Sequence, residues 1–104
     1  PRGAAAADEI AALPGVDMLW LGHNDLSVAM GEPGAFDHPD FLTAEQATIA
    51  AAKKHGKSAG RLAVDAHQAA SFVKLGYDFV SIAGDVWLLQ QAFAAGVQRI
   101  RQQT

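Results

Sequence analysis

Hydrophobic positions along the chain fall into short apolar runs separated by longer segments with helical spacing. Met18–Leu21 is a four-residue apolar run, and its length is typical of a buried strand. Ser58–Val64 and Phe79–Ala83 are predicted strands of the same kind. Because these strands alternate with helical segments, we expect parallel β/α units.

Four helices are predicted around these strands: Ala4–Leu13, Asp40–His55, one that follows Asp65 and one that follows Gly84-Asp85. Helical spacing marks one apolar face on each. The positions expected on these faces are Ala6, Ile10 and Leu13; Leu42 and Ile49; Ala66, Ala69, Ala70 and Val73; and Leu89, Ala92, Phe93, Val97 and Ile100. Pro14-Gly15, Gly56 and Gly76 are expected to end the first three helices.

Gly22–Pro39 is rich in Gly, Pro, His and Asp, which predicts a loop with one short helical turn at Leu26–Met30. His38-Pro39-Asp40 is expected to form the entry to the next helix. Three strands with four helices are an unusual composition for a complete domain. The same elements are expected at the end of an eight-stranded β/α barrel. The predicted fold class is therefore α/β.

Composition narrows the function classes. The 104 residues carry a formal net charge of -3, and 22 of them are alanine, so large core-filling side chains are few. The chain has no cysteine, which excludes a disulfide scaffold and a thiolate zinc site and fits a reducing compartment, so a cytoplasmic location is expected. No apolar run approaches membrane length, no secretory signal opens the chain, and the mild acidity argues against a nucleic-acid partner.

Candidate chemistry follows the predicted strands, at Gly22–Ser27, Asp65–His67 and Gly84-Asp85. Functional groups in parallel β/α folds cluster at this end of the strands. Asp25 could hold Mg²⁺ or Mn²⁺ through its carboxylate, and the N–H groups of Asn24 and Asp25 could attract a substrate carboxylate or phosphate. From spacing alone, a helix cap is the favoured interpretation of Asp25, and the same holds for Asp65 and Asp85.

Other candidates are weaker. No two of the four histidines have i, i+4 spacing, so we expect exposed or locally bonded imidazoles, with His23 nearest to the candidate chemistry. Arg61 lies inside a predicted strand, where it is either a surface residue at a barrel edge or the partner of a carboxylate. Motifs for a hydrolase nucleophile elbow and for nucleotide binding are absent from the sequence.

Several segments together resemble the HpcH/HpaI aldolase family, which are metal-dependent class II pyruvate aldolases. The most specific is Gly22-His23-Asn24-Asp25-Leu26-Ser27, preceded by Trp20-Leu21 and followed by Met30-Gly31. The others are Gly15-Val16-Asp17, Phe36-Asp37-His38-Pro39, Gly56–Gly60 and Tyr77–Leu88. The resemblance extends from about Ile10 to Ile100. His23 stands where many members of the family have proline or another residue near the substrate, and its role is open. The sequence departs from the family at Arg61, where an apolar residue is expected.

The resemblance implies that residues 1–104 are one partial barrel domain, the C-terminal portion of a (β/α)₈ TIM barrel containing strands six to eight. It further implies that Asp25 ligates a divalent cation (Mg²⁺, Mn²⁺ or Co²⁺). The backbone at Asn24 and Asp25 would receive the substrate carboxylate, and Leu62 would line the pocket. The second metal carboxylate, a Glu, would fall immediately before Pro1. The catalytic His and the substrate-binding Arg belong to earlier strands, so no catalytic residue is assigned here.

The implied activity is that of a carbon–carbon lyase, which cleaves or forms hydroxy-keto acids through a metal-stabilised pyruvate enolate. Its partners would be a pyruvate-like 2-keto acid and an aldehyde. Family members are commonly hexamers, so a homo-oligomer is expected, with the Trp87–Ile100 helix at an interface or packed on its own barrel. The 104 residues alone are expected to be inactive. The alternatives are a catalytically incompetent barrel fragment and a citrate-lyase-like acyl-CoA lyase.

Overall fold

The computed structural model describes all 104 residues, Pro1–Thr104, as a mixed α/β fold with one small parallel sheet. The strands are β1 (Met18–Leu21), β2 (Ser58–Ala63) and β3 (Phe79–Ile82), and they lie side by side in that order. The helices are α1 (Arg2–Ala5), α2 (Ala7–Ala11), α3 (His23–Ala29), α4 (Pro39–Lys54), α5 (Ala66–Leu75) and α6 (Asp85–Gln103). The predicted strands are confirmed to within one residue.

The register of the sheet divides its side chains between two faces. Leu21 pairs with Arg61, and Arg61 pairs with Val80, so these three side chains share the face that packs against α4 and α5. The opposite face carries Trp20, Gly60, Leu62 and Phe79 among others. The rings of Trp20 and Phe79 meet edge to face at 5.9 Å across Gly60, and both remain about half exposed.

The core lies between the first of these faces and the helices, and alanine makes up much of it. Ala7 and Ala11 of α2 pack against α4, where Ala51 and Ala52 are also buried. Small side chains let the two helices approach closely. The larger members of the core are Leu19, Leu21, Leu26, Phe41, Ile49 and Tyr77.

The predicted first helix differs from the structure in its bounds and its buried face. It begins at Arg2 rather than Ala4 and is broken at Ala6 into α1 and α2. Ile10 and Leu13 were expected to be buried but are exposed, since the close contact with α4 is made by alanines instead. A segment this rich in alanine has little helical hydrophobic pattern, so the choice of buried face came from packing.

The buried faces of α4, α5 and α6 also differ from the predicted apolar faces. In α4, Ile49 is buried as expected, but Leu42 is exposed and Phe41 takes the core position one residue earlier. In α5, only Ala69 of the predicted stripe is buried; Val73 points outward and the neighbouring Phe72 faces the core. In α6 no residue is buried, so its apolar positions all lie exposed.

Helix ends were predicted more accurately than helix faces. The His38 imidazole caps α4 by accepting a hydrogen bond from the Asp40 N–H at 3.2 Å, and Asp65 caps α5 by accepting from Gln68 N–H at 2.8 Å. Gly56 follows the end of α4 and Gly76 ends α5, both with positive φ as glycine allows. Asp85 differs: Gly84 holds the cap position, and Asp85 is the first residue of α6.

None of the six helices combines the length and apolar character that crossing a bilayer requires.

Substitution of Gly60 by alanine tests the close contact on the open face of the sheet. A Cβ at this position would lie 2.7 Å from Trp20 Cε3 and 3.0 Å from Met18 Sδ. We expect Gly60→Ala to lower the free energy of unfolding by about 1–3 kcal/mol, as overpacking does, and to change the Trp fluorescence. Chemical denaturation measures the first effect. Gly15→Ala is the control, because no atom lies within 4 Å of its added Cβ; equal losses in the two variants would contradict the prediction.

A surface cluster joins α2 to the end of α4 and shifts one pKa. Lys54 Nζ donates to both carboxylate oxygens of Asp8, at 3.0 and 3.1 Å, and His55 Nε2 lies 3.0 Å from Asp8 Oδ1. The hydrogen bond from Lys54, followed by that from His55, lowers the Asp8 pKa below 3.8. Any stability from this shift is present above about pH 4, the unfolded carboxyl value, and is lost as the pH falls through the lower folded value.

Carboxyl ¹³C NMR titration checks this arrangement. We expect Lys54→Met to raise the Asp8 pKa towards 3.8, and His55→Gln to raise it less, because the lysine hydrogen bond is the larger cause. An Asp8 midpoint that neither substitution moves would show that the cluster does not persist in solution.

Candidate functional site

Asp25 lies at the carboxyl end of β1, in the first turn of α3. This helix begins at His23, earlier than the predicted turn at Leu26–Met30, and so includes Asn24 and Asp25. Gly22 holds its cap position with no side-chain cap bond, so the cap interpretation of Asp25 is wrong. A Cβ on Gly22 would lie 3.2 Å from Asp25 Oδ2, which places the carboxylate against the end of β1.

The Asp25 carboxylate forms no ion pair and no side-chain hydrogen bond, and the residue is exposed. It is one of the residues that line an apolar groove of about 510 Å³, to which all four residues of β1 contribute. The groove is bounded by α1, α2 and α3, and Asp25 contributes its only charged side chain. The geometry therefore leaves a free carboxylate beside an apolar surface.

The donor chemistry of this carboxylate fits one ligand position of a hard divalent cation. Mg²⁺ requires near-octahedral oxygen ligands and commonly takes one or two carboxylates, with water and substrate completing the set. No group of three or more His, Asp or Glu side chains comes together anywhere in the chain. The 104 residues thus offer Asp25 as a single ligand. They hold no complete metal site.

The other predicted substrate residues also lie at the carboxyl ends of the strands. Asn24 is exposed in the first turn of α3, where backbone N–H groups have no acceptor within the helix. Leu62 follows Arg61 on β2, one position beyond the level of Leu21 at which β1 ends, and it is half-buried. Leu62 points to the face that carries Trp20, whereas Arg61 points to the helices. The arginine therefore does not replace an apolar wall on that face.

Ser27 fastens α3 to the loop that follows it. Its hydroxyl donates to the Asn24 carbonyl at 2.8 Å and accepts from the Gly34 N–H at 3.1 Å, and its side chain is buried. The Ser27 carbonyl accepts a further hydrogen bond from Glu32 N–H. These bonds fold the loop back over the helix that carries Asp25.

The same loop brings Phe36 between the site and a buried charge. Its ring packs edge to face on His23 with centroids 5.1 Å apart, and its centroid lies 5.8 Å from the Arg61 guanidinium. Arg61 forms a buried ion pair with Glu45, and Tyr77 donates its hydroxyl to the same Glu45 oxygen at 2.9 Å. Of the two interpretations of Arg61, pairing with a carboxylate is confirmed and a surface position is wrong.

Sequence reasoning missed Glu45 and the linking role of Phe36. The available signal for Glu45 was its spacing: it lies four residues after Phe41 and four before Ile49, on the buried face of α4. A charged residue on a buried face needs a partner of opposite charge. Arg61, the one charged residue of β2, is that partner. Phe36 packs on nearby Phe41 of α4, with ring centroids 5.6 Å apart, but its contacts with Arg61 on β2 and His23 on α3 had no local signal in the sequence.

Burial and charge shift two ionisable groups here. Burial lowers the pKa of the His23 imidazole below 6.5, and the Arg61 charge lowers it further, against the opposing effects of Asp25 and Glu45. Burial also raises the pKa of the Tyr77 phenol well above its usual range, as do the charge and hydrogen bond of Glu45. Both shifts favour the neutral form of the group.

Comparison with known proteins identifies the family. A sequence model of the HpcH/HpaI aldolase/citrate lyase family matches residues 1–92, and the chain belongs to this family. A hydroxypyruvate/pyruvate aldolase of Paraburkholderia phytofirmans is 35% identical over 100 residues, which is 96% of this chain and 38% of that protein. A 5-keto-4-deoxy-D-glucarate aldolase of Salmonella arizonae is 38% identical over 98 residues, 94% of this chain and 37% of that protein.

Solved structures agree with this assignment. An HpcH/HpaI aldolase/citrate lyase family protein from Burkholderia cenocepacia superposes with a TM-score of 0.91 and 36% identity, covering 96% of this chain and 39% of that structure. The chain thus spans less than two fifths of the length of these relatives.

Removing the Ser27 hydroxyl tests the attachment of α3 to its loop. Ser27→Ala leaves the Gly34 N–H without its acceptor in a partly buried place. We expect the free energy of unfolding to fall by about 1–3 kcal/mol, measured by chemical denaturation. Ser71→Ala is the matched control, since that exposed hydroxyl only donates to His67 in its own helix. Losses of similar size in both variants would contradict the role given to Ser27.

Proposed function

We propose that this chain is the C-terminal portion of a (β/α)₈ barrel in a metal-dependent aldolase, with β1, β2 and β3 as strands six, seven and eight. The parallel order β1-β2-β3 and the family membership support this placement. The names of the relatives support a carbon–carbon lyase that acts on a pyruvate-like 2-keto acid and an aldehyde.

The observation that carries the proposal is the free carboxylate of Asp25 at the end of a parallel strand. It is neither a helix cap nor a member of an ion pair, although both uses are common for an aspartate at this place. A carboxylate left exposed in this way is available to a divalent cation such as Mg²⁺, Mn²⁺ or Co²⁺. When bound, the cation would supply a Lewis acid for the negative charge that develops on the keto oxygen.

The chain's own residues would hold and orient the substrate beside it. The N–H groups of Asn24 and Asp25 would receive the carboxylate of the keto acid. Leu62 would give the methyl end of a pyruvate-like molecule an apolar contact. The Ser27 bonds to Asn24 and Gly34 would keep the first turn of α3 in place while substrate binds.

We propose that these 104 residues are inactive by themselves. Asp25 is a single carboxylate with no second ligand residue near it, and one carboxylate is a weak Mg²⁺ site. Catalysis and tight metal binding would then need groups from outside this segment. We propose that the protein is a homo-oligomer, because the exposed apolar positions of α6 would be buried at an interface between copies. We also propose that it is located in the cytoplasm.

A pair of aspartate variants tests the assignment of Asp25 in the protein as its gene encodes it. We expect Asp25→Asn to lower Mn²⁺-dependent release of pyruvate from a 4-hydroxy-2-keto acid by more than about 100-fold, since even groups that only orient metal ligands are worth 10–100-fold. The release is measured with a lactate dehydrogenase coupled assay.

The control is Asp65→Asn, which removes a carboxylate from the same edge of the sheet. Asparagine caps helices about as well as aspartate, so the Asp65 cap of α5 should persist and activity should stay near that of the wild type. Undiminished activity in Asp25→Asn would exclude Asp25 as a metal ligand.

A further inference from the structure

A charged group lies buried on the face of the sheet that the helices cover, next to the loop that follows α3. The Arg61 side chain is 5% exposed and its Glu45 partner 3% exposed. They are the only charged residues of the chain that are buried. Removing two charges from water is expensive, and their attraction offsets that cost only when the geometry is good. Tyr77 further stabilises the Glu45 carboxylate by donating a hydrogen bond to it.

Three phenylalanine rings surround the guanidinium. Its carbon lies 4.2 Å from the ring centroid of Phe72 on α5, 5.3 Å from that of Phe41 on α4, and 5.8 Å from that of Phe36 in the loop after α3. Each distance is within the range of a cation–π interaction. The Nε atom has no hydrogen-bond partner, so the arginine is held by one carboxylate and by ring faces.

A planar guanidinium can stack on aromatic faces, whereas a lysine ammonium is a compact point charge. Lysine at position 61 could still pair with Glu45. It could not cover the three rings in the same way. This difference separates the charge of Arg61 from its shape in an experiment.

Phe36 connects this buried cluster to the candidate site. Phe41 and Phe72 belong to helices that pack on the sheet, but Phe36 belongs to the loop that Ser27 binds to α3. The Phe36 ring also contacts the His23 imidazole, with centroids 5.1 Å apart. His23 is the first residue of α3, two positions before Asp25. The contacts therefore run without a gap from Arg61 through Phe36 to the first turn of α3.

We propose that Arg61 is a positioning residue for the strand-end site: its guanidinium holds Phe36 against His23 and so fixes the first turn of α3, which carries Asn24 and Asp25. The role in ligand binding rests on the proposed function. The mechanical coupling from Arg61 to His23 does not, and it can be measured by itself.

Three single variants of the gene-encoded protein test the ligand-binding part. Phe36→Leu removes the linking ring, and Arg61→Lys keeps the charge but loses the stacking. Phe72→Leu is the matched control: it removes the ring nearest to the guanidinium, while Glu45 and the other two rings still hold Arg61. The readouts are Mn²⁺ affinity, from free Mn²⁺ by electron paramagnetic resonance, and KM for the keto acid.

We expect Phe36→Leu and Arg61→Lys each to weaken Mn²⁺ binding and raise KM by about tenfold, the lower end of what groups orienting metal ligands contribute. Phe72→Leu should lower stability while changing both constants less than about twofold, because it leaves the contacts to α3 intact. Equal effects in Phe36→Leu and Phe72→Leu would overturn the proposal, since a general loss of packing would then explain them.

The double variant Phe36→Leu/Arg61→Lys tests whether the two residues act through one route. If Arg61 acts through Phe36, the double variant should lose about the same tenfold as either single variant. An independent, multiplied loss of about 100-fold would overturn the proposal.

Histidine resonances provide a readout that does not require activity. In ¹³C-histidine-labelled protein, His23 is assigned by its loss in His23→Gln. Its ring signals should shift in Arg61→Lys, because Phe36 moves, and stay in place in Phe72→Leu. An unmoved His23 signal in Arg61→Lys would overturn the inference. If the wild type neither binds Mn²⁺ nor cleaves hydroxy-keto acids, the proposed function fails, and the His23 signal still decides the coupling.

Discussion

The buried ion pair between Arg61 and Glu45 is the contact on which the two layers of this fold depend. It joins the middle strand to α4, and through Tyr77 and Phe72 it also joins α5 and the start of β3. Loss of one member would leave the other charge buried and unpaired, at a cost of about 3–5 kcal/mol. That is a large fraction of the 5–15 kcal/mol by which native proteins are stable.

The ion pair is important for stability because the rest of the core contains few large apolar side chains. Ala7, Ala11, Ala51 and Ala52 allow α2 to lie close to α4, but each buries little apolar area. Meanwhile large apolar side chains remain outside it, on the open face of the sheet at Trp20 and Phe79 and along α6. This distribution fits a segment that completes its packing against further structure, as the length of its relatives suggests.

The charged residues around the candidate site differ in whether they are paired. Asp25 forms no ion pair, and Gly22 rather than the Asp25 side chain occupies the cap position of α3. Arg61 is paired with Glu45 on the face of the sheet that the helices cover, and Lys54 is bound to Asp8 on α2. Asp25 is thus an exposed, unpaired carboxylate at the end of β1.

The sequence by itself determined the features that depend on a few neighbouring residues. The three apolar runs predicted the strands, and His38, Asp65, Gly56 and Gly76 were identified as helix ends, because caps and positive φ are properties of local backbone. The resemblance around Gly22–Ser27 identified the family. Spacing alone favoured the wrong role for Asp25, since a cap and a free carboxylate have the same local sequence.

Only the tertiary structure decided which side chains are buried and which charges meet. An alanine-rich helix has almost no apolar pattern, so Ala7 and Ala11 became core only when α4 lay against them. Arg61 and Glu45 are 16 residues apart, and Phe36 reaches both Arg61 and His23 only after the loop folds over α3. Backbone conformation is set largely by short-range interactions, whereas burial and ion pairing are set by elements that are distant along the chain.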